Sequence, residues 1–500
     1  MQIWFITLNF TGASSSGITT SVTANGASVR MLDLDGDGLA DQVLKIPGKG
    51  IYYKRNNLGK QGLLKKVKLP QGGFYAAEYE EKYGTVLMPQ FKYTVKTITA
   101  DDGCFEKQEQ INHGEHCIID EYEYENAFYD RQIKEFYGFG KMTVIKSDDS
   151  RKETIFYNTE YESKGMVKKE AAYLNESSDS IQKETNFDLC SQFKWLVNKK
   201  TETKYDLKDC KKNLSKSVTY EYDEDGNTVE LKEKLTDGNI LKGVFEYASL
   251  NGTKVKSLPV LVEVYENGEL LRKRTGVYDY SNGALKKINV YTSESDFISN
   301  IYEYDSYGNL IRNQNADGST ILYEYDDEPS GENMFLQKIT STDGNEKLTG
   351  QIVWNKVLQK KTKETDCNDN SICCEWDEWG RLKTVKTDYD KEMPAVQYQY
   401  LIDDEKNWTA ITTNKVSFDP HNRAVIKTVV QTDGLGRLLF TAKSGCADGE
   451  TGFNVSGLVK YDKKGRVKQE GKTVCITTDI EKNDELGDFL WNSFKRKKKK

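Results

Sequence analysis

Tyr302-Glu303-Tyr304-Asp305-Ser306-Tyr307-Gly308-Asn309-Leu310 is the fullest copy of a phrase that this chain writes repeatedly. The phrase is two aromatics one residue apart, an acid, a Gly-Asn or Gly-Arg turn, and an apolar residue. A second long copy is Tyr220-Glu-Tyr222-Asp223-Glu-Asp-Gly226-Asn227. Partial copies are Tyr323-Glu-Tyr325-Asp326, Trp376-Asp377-Glu-Trp-Gly380-Arg381-Leu382 and Tyr461-Asp462-Lys-Lys-Gly465-Arg466-Val467. Self-similarity of this kind points to a repeat architecture before any enzyme is considered.

Residues two apart on an extended strand project from the same face, so each Tyr-x-Tyr pair puts two rings on one side. Phe245/Tyr247, Tyr278/Tyr280, Tyr398/Tyr400 and Tyr122/Tyr124 share the spacing. Aromatics suit a pleated surface where cross-strand partners cover them. The Asp and Gly that follow are hairpin chemistry, because Gly accepts positive φ and Asp bonds the nearby backbone. Each copy therefore reads as a strand, a turn and a return strand. One hairpin is marginal alone, so the copies are expected to stack side by side and bury their rings.

The composition agrees. The 500 residues exceed one ordinary core, so two or more domains or one long extended sheet are expected. Only 37% of residues are hydrophobic, yet 30 Tyr and 19 Phe concentrate burial in rings that each remove ~150 to 250 Å² from water. That sustains sheets without a thick sandwich everywhere. The 39 Gly against 7 Pro suit many hairpins and few breaks in strand pairing. No segment approaches the ~20 apolar residues of a membrane span, which makes a soluble protein the expectation.

The ends read as cut. Met1-Gln-Ile-Trp-Phe-Ile-Thr-Leu8 has no basic n-region and no small-residue cleavage site, and resembles the middle of a strand more than a signal peptide. Lys495-Arg-Lys-Lys-Lys-Lys500 is an abrupt basic run, read as a disordered tail in preference to a polyanion-binding arm. The net charge of −7 includes that run, so the remaining body is more acidic still and a poor nucleic-acid binder. The nine cysteines (Cys104, Cys117, Cys190, Cys210, Cys367, Cys373, Cys374, Cys446 and Cys475) are odd in number and form no C-x-x-C pair. Mostly reduced thiols and folding in a reducing cytoplasm are expected, although Cys104/Cys117 and Cys190/Cys210 could each close a loop.

One ligand-binding signal is sharp: Asp33-Leu-Asp35-Gly-Asp37-Gly38-Leu39-Ala-Asp41. The carboxylates of Asp33, Asp35, Asp37 and Asp41 and the carbonyl of Leu39 can converge on one hard cation, since Ca²⁺ takes six to eight oxygens. A helix-loop-helix calcium site would want Glu at the twelfth place, where Leu44 stands, and the flanks here are strand-like. The loop resembles the calcium hairpin of integrin-type FG-GAP propeller blades. A metal-free acidic turn would crowd four carboxylates without compensation. The expected role of Ca²⁺ is structural.

Other constellations carry less. His113-Gly-Glu115-His116-Cys117 is not H-E-x-x-H and reads as a solvated turn, as does His421 in Asp-Pro-His-Asn. No G-x-S-x-G or phosphate loop is present. Glu121/Glu123/Glu125 alternate with aromatics as a solvated face, and Asp326-Asp327-Glu328 follow a strand as a turn. No enzyme and no catalytic residue is expected.

The calcium-type loop is followed by Pro89-Gln-Phe-Lys-Tyr-Thr-Val, Tyr122-Glu-Tyr-Glu-Asn-Ala-Phe-Tyr129-Asp130, Lys134-Glu-Phe136-Tyr-Gly138-Phe139-Gly140 and tyrosine-aspartate repeats. That order resembles the B component of insecticidal Tc toxin complexes and related RHS/YD-repeat proteins, and Asp433-Gly-Leu-Gly436-Arg437 is similar to a phrase common in RHS sequences. The resemblance implies an all-β protein with a curved YD-repeat wall, preceded by a partial FG-GAP-type blade, in a shell that encloses a toxic polypeptide. It implies other toxin-complex subunits, or the remainder of the shell, as partners, and a secreted or cell-surface destination after cytoplasmic folding. The expected map is a blade over 1–60, a connecting Tc toxin B middle-type region over 61–200, YD hairpins over 201–485 and a basic tail over 486–500. With no room for a complete shell, the chain is expected to be a fragment without activity alone. The alternative from another class is a calcium-dependent surface adhesin or carbohydrate-binding module, in which exposed rings stack on sugars.

Overall fold

Asp305 opens a turn in which the Gly308 amide donates to the Asp305 carbonyl at 3.2 Å and the Asp305 amide donates to the Asn309 carbonyl at 3.0 Å. Gly308 sits at φ 91°, as a tight hairpin requires. The same pair of bonds recurs at Asp223, Asp377, Asp433 and Asp462. The hairpins read from the sequence are therefore the unit from which the structure is built. The computed structural model describes residues 28–34, 39–56, 62–82, 84–89, 91–103, 117–175, 177, 180–206, 213–326, 334–344, 346–402, 408–417, 424–445, 452–462 and 464–476. Among them every regular element is a β-strand.

The chain divides into two compact units. The first draws on Met1–Lys68, Phe74–Ala100 and Cys117–Ser180. It contains a three-stranded antiparallel sheet of Ser28–Leu32, Asp41–Ile46 and Gly50–Lys54, with Asp41–Ile46 in the centre. It also holds a series of neighbouring strands, Phe74–Lys82, Lys92–Asp101, Cys117–Asp130, Glu135–Ile145, Arg151–Phe156 and Val167–Tyr173, antiparallel from Cys117–Asp130 onward. The phrase Phe136 to Gly140 lies in the second strand of its longest hairpin. A register shift at Phe128/Tyr129 places Gly138 opposite Phe128 with φ 97°, a bulge conformation that side chains resist. Tyr137 is buried there, its ring 5.6 Å from Phe128, and Phe139 lies 5.1 Å from Tyr124 and 5.5 Å from Phe136.

The second unit comprises Leu69–Gly73, Asp101–His116 and Ile181–Lys500. Each of its strands from Ile181–Leu189 to Phe453–Ser456 pairs antiparallel with the next in the chain, giving one long sheet. Its densest burial is at the C-terminal end, where Ile411, Val429, Leu439, Phe440, Ala442, Val455, Leu458, Val474 and Ile476 form one cluster.

Two details depart from the sequence reading. The hairpin Val459–Tyr461/Val467–Glu470 does not join the sheet: Phe453–Ser456 pairs directly with Val474–Ile476, and the hairpin forms its own two-stranded sheet. Leu458, Val459 and Tyr461 are buried in the cluster, so this copy covers the sheet where side-by-side stacking was expected. Tyr278 and Tyr280 are not a same-face pair either. The strand Glu269–Tyr278 ends at the first, and Tyr280 sits exposed in the turn. Asp279 opens that turn, so Tyr278 occupies the second-ring position of the phrase.

Candidate functional site

Followed strand by strand, the register of the second unit carries the rings onto one face. Tyr220 stands opposite Leu231, Leu231 opposite Gly243, and Gly243 is two residues from Phe245. Continued in this way, the pairing puts Tyr220/Tyr222, Phe245/Tyr247, Tyr278, Tyr302/Tyr304, Tyr323/Tyr325, Ile352/Trp354, Cys374/Trp376 and Tyr398/Tyr400 on the same side. The intervening acids face the other way. They form cross-strand pairs there: Glu303 with Arg312 at 2.7 Å, Glu324 with Lys338 at 2.7 Å and Glu375 with Lys386 at 2.8 Å. The sheet thus has an aromatic face and a charged face. The buried cluster of the C-terminal end lies on the second of these, since Ile411 is paired with Gln399, between the rings of Tyr398 and Tyr400. The apolar side of the sheet changes at that point.

The second ring of each pair does more than fill space. A register shift falls at that residue in the pairing of Tyr222, Tyr247, Tyr278, Tyr304, Tyr325, Trp354 and Trp376 with the following strand. On the preceding strand its polar atom meets a carbonyl. Tyr222 donates to Val197 at 2.6 Å, Tyr247 to Thr228 at 3.0 Å, Tyr278 to Pro259 at 3.1 Å, Tyr325 to Leu310 at 3.2 Å and Tyr400 to Leu382 at 3.1 Å. The indole nitrogens of Trp354 and Trp376 do the same to Leu336 and Lys361, each at 2.8 Å. Burial raises these phenols above their ordinary value, as at Tyr222, Tyr247 and Tyr325, so they stay protonated donors. Each ring is at once a packing group and a hydrogen-bonded tie between neighbouring strands.

The acid then closes the turn. Asp305 Oδ1 accepts the amides of Tyr307 and Asn309, and Oδ2 accepts the Asn309 side chain at 3.0 Å. Burial alone would raise this carboxyl, but the bonds from Asn309 and the backbone bring it below the ordinary range. Where the fifth residue is Arg, its guanidinium takes the amide's place, as in Arg381 to Asp377 at 2.7 Å.

One copy of the turn is different. Asp433 and Asp102 have side chains 1% exposed, and Arg437 lies between them at 13% exposure. Its Nε donates to Asp433 at 2.6 Å and its Nη2 to Asp102 at 3.0 Å, with the guanidinium 4.5 Å above the Tyr461 ring. The backbones touch as well. The Gly73 amide donates to the Gly434 carbonyl at 3.1 Å, and a Cβ on Gly434 would stand 2.0 Å from the Asp102 carbonyl oxygen. Burial raises the Asp433 carboxyl, an effect that Arg437 opposes without cancelling and that Asp102 reinforces. Asp433 is the one described acid of these turns that is raised; Asp223, Asp305, Asp377 and Asp462 are all lowered. The sequence flagged Asp433 to Arg437 but gave no sign of Asp102, which is 335 residues away.

The calcium candidates are partly placed. Asp41 is fully buried, and its carboxylate accepts the Leu34 amide at 3.0 Å and the Asn56 amide at 2.8 Å. Through the Leu34 amide it ties the end of the acidic loop to its beginning. Asp33 and Leu39 flank the loop, while Asp35 and Asp37 lie outside the described residues. Among the described residues no three acid, imidazole or thiol groups gather to hold a metal. His113, His116 and His421 lie outside the described residues, and Glu121, Glu123 and Glu125 are exposed. Asp326 is buried, accepting the Phe335 amide at 2.9 Å and pairing with Lys356 at 2.8 Å. Cys190, Cys367, Cys373 and Cys374 are free thiols, whereas Cys475 is disulfide-bonded. No helix of the described residues is long and apolar enough to cross a membrane.

Residues 5–170 match the family described as the insecticide toxin TcdB middle/N-terminal region. No curated protein matches the chain in sequence. Among solved structures, the chain is similar to the crystal structure of TcdB2-TccC3, with a TM-score of 0.64 and 13% identity over 90% of this chain and 33% of that one. It is also similar to TcdB2-TccC3-Cdc42, with a TM-score of 0.63 and 12% identity over 91% of this chain and 35% of that one. The same values hold for the Photorhabdus luminescens Tc holotoxin pore with the mutation TccC3-D651A. The chain spans about a third of the length of these chains. The match to the TcdB middle/N-terminal region thus covers the first third of the chain, and the chain shares its fold with these Tc toxin structures.

Proposed function

We propose that the chain is a non-enzymatic wall segment of a toxin-encapsulating shell, working together with other toxin-complex subunits or the remainder of such a shell and acting outside the cell that makes it. The observation that supports this most directly is the single ring face maintained from Tyr220 to Tyr400, with charged pairs on the reverse. A sheet so sided separates two environments, and its repeated ties give it the continuity a barrier needs. The three-stranded sheet at Ser28–Lys54 fits a partial FG-GAP-type blade, since its apolar residues lie on both faces, Met31 and Tyr52 on one and Leu32 and Tyr53 on the other. Asp33, Asp35, Asp37, Asp41 and the Leu39 carbonyl would hold a structural Ca²⁺, and buried Asp41 suits that donor set.

Co-expression with the reading frames adjacent to its own gives the test. The chain should co-purify with a second RHS polypeptide and shield a C-terminal segment of it from trypsin. Purification alone, with no shielded segment, would remove the shell reading. Saturable binding of glycans by the isolated chain would favour the adhesin instead.

A further inference from the structure

The sequence writes Asn-Gly four times, and three copies, Asn251-Gly252, Asn267-Gly268 and Asn282-Gly283, lie among the described residues. All three asparagines are exposed turn residues of the second unit. An asparagine before glycine has a reaction open to it within its own chain. The glycine amide nitrogen can attack the side-chain carbonyl carbon, since no Cβ on the following residue blocks the approach. The attack requires both groups to be free to meet. Two of the three pairs are not free. Asn267 Oδ1 accepts the Ile240 amide at 2.9 Å, and its Nδ2 donates to Asn239 Oδ1 at 3.0 Å. Asn282 Oδ1 accepts the Ala284 amide at 2.9 Å, and the attacking group itself, the Gly283 amide, donates to the Asp279 carbonyl at 2.7 Å. At the third pair neither group is held: the Asn251 carboxamide and the Gly252 amide make no hydrogen bond among the described residues. Gly252 has φ 72° and open space around it, and the turn is closed by a 3.3 Å bond from the Thr253 amide to the Leu250 carbonyl.

We infer that Asn251 is a site of spontaneous covalent modification, at which the folded chain deamidates while Asn267 and Asn282 are protected. The Gly252 nitrogen bonds to Asn251 Cγ, and the side-chain nitrogen leaves as ammonia with the proton that Gly252 gives up. Water then opens the resulting succinimide at either carbonyl, to aspartate or to isoaspartate. Water is the sole co-reactant, and each product carries one more negative charge than asparagine. Isoaspartate also lengthens the main chain by a carbon, and it does so where neighbouring loops are tied together. The Asn251 amide donates to the Tyr280 carbonyl at 3.0 Å. A few residues on, the Lys256 carbonyl accepts the Asn227 side chain at 2.9 Å and its ammonium pairs with Asp225 at 2.9 Å. The modification therefore acts on the join between the turns at Asp223–Asn227 and Asp279–Ala284. It is independent of what the ring face encloses.

Ageing the purified, folded chain at neutral pH tests this, with samples cut by trypsin and read by mass spectrometry. The three pairs fall in separate tryptic peptides, Gly243–Lys254, Ser257–Arg272 and Thr275–Lys286. The first should gain the mass of the acid about thirty-fold faster than the other two, where two ordinary hydrogen bonds must break before the attack. In urea, which removes the turns, the three rates should draw together. The aged Gly243–Lys254 peptide should also accept a methyl group from an isoaspartate-specific methyltransferase, whereas the fresh peptide should not. A folded chain in which Asn251 converts no faster than Asn267 and Asn282 would overturn the inference. A preference for Asn251 that persists undiminished in urea would overturn it too, since the local sequence alone would then set the rates.

Discussion

Arg437→Ala probes the buried turn, and the chain contains its own control. Arg437 is held by Asp433 at 2.6 Å and Asp102 at 3.0 Å, all three side chains at most 13% exposed. Arg466 makes the same i,i+4 bond to Asp462 at 2.7 Å, but is 67% exposed. Removing Arg437 leaves two buried carboxylates without their shared cation, a change that costs about 3 to 5 kcal/mol. Removing Arg466 releases an exposed pair and costs about 0 to 1 kcal/mol. The pH dependence separates charge from lost packing. Asp433 is already raised in the folded state, and without Arg437 it rises further. A carboxyl whose folded value lies above its unfolded value opposes folding at neutral pH. That penalty disappears as the pH falls through the folded value toward the unfolded value near about 3.9. Urea unfolding followed by circular dichroism at pH 7 and pH 5 is the assay. The gap between Arg437→Ala and wild type should narrow at the lower pH, while Arg466→Ala shows a small effect at pH 7. Equal losses for the two variants, or a gap at Arg437 that widens in acid, would refute the electrostatic account of this turn.

Further outcomes follow from the same geometry. Tyr222→Phe removes the 2.6 Å bond to the Val197 carbonyl and should lower stability by about 0.5 to 1.5 kcal/mol. Tyr220→Phe, which leaves that bond in place, should change it much less, and equal losses in denaturant midpoints would count against the tie. Gly434→Ala places a methyl 2.0 Å from a backbone oxygen that cannot swing away, so it should destabilise by more than about 4 kcal/mol in the same assay. Gly308→Ala meets open space and only the strain of φ 91°, about 1 to 2 kcal/mol. The turn acids Asp305 and Asp377 are lowered in the folded state, so their contribution is complete above their unfolded value and lost as the pH falls below about 4. An acid titration by circular dichroism should show sheet loss in that window. Ca²⁺ should raise the thermal midpoint of the Ser28–Lys54 sheet region and bind measurably by calorimetry, and Asp35→Asn with Asp37→Asn should abolish both effects.

Much of the architecture was legible because it is written in local terms. The period-two rings and the Asp-x-x-Gly turns specify strand, turn and face within about nine residues, and no distant partner is needed to read them. The two departures have different causes. Tyr280 matches the ring spacing but follows Asp279, and the position of the acid, which bonds the turn, sets where the strand ends. The Tyr461 hairpin has the right local phrase, but Leu458 and Val459 before it are apolar and find a more complete burial on the face of the sheet than at its edge. The tie from each second ring to the preceding strand was not read, though its signal was present in the preference for Tyr and Trp over Phe at that place. A hydrogen-bonding ring there satisfies a carbonyl beside the bulge.

The sequence alone determined that the chain folds as hairpins, that their rings share a side, and that an acidic loop near the start has the donor pattern of a calcium site. These are properties of neighbours in the chain, governed by backbone geometry and the reach of one side chain. Tertiary structure decided which of several identical turns is buried, that Asp102 shares the guanidinium of Arg437 with Asp433, and that the apolar side of the sheet changes beyond Tyr400. Those outcomes depend on which surfaces meet. The free energy of burying a charge or a ring is set by groups that folding brings alongside it, and spacing along the chain carries no record of them.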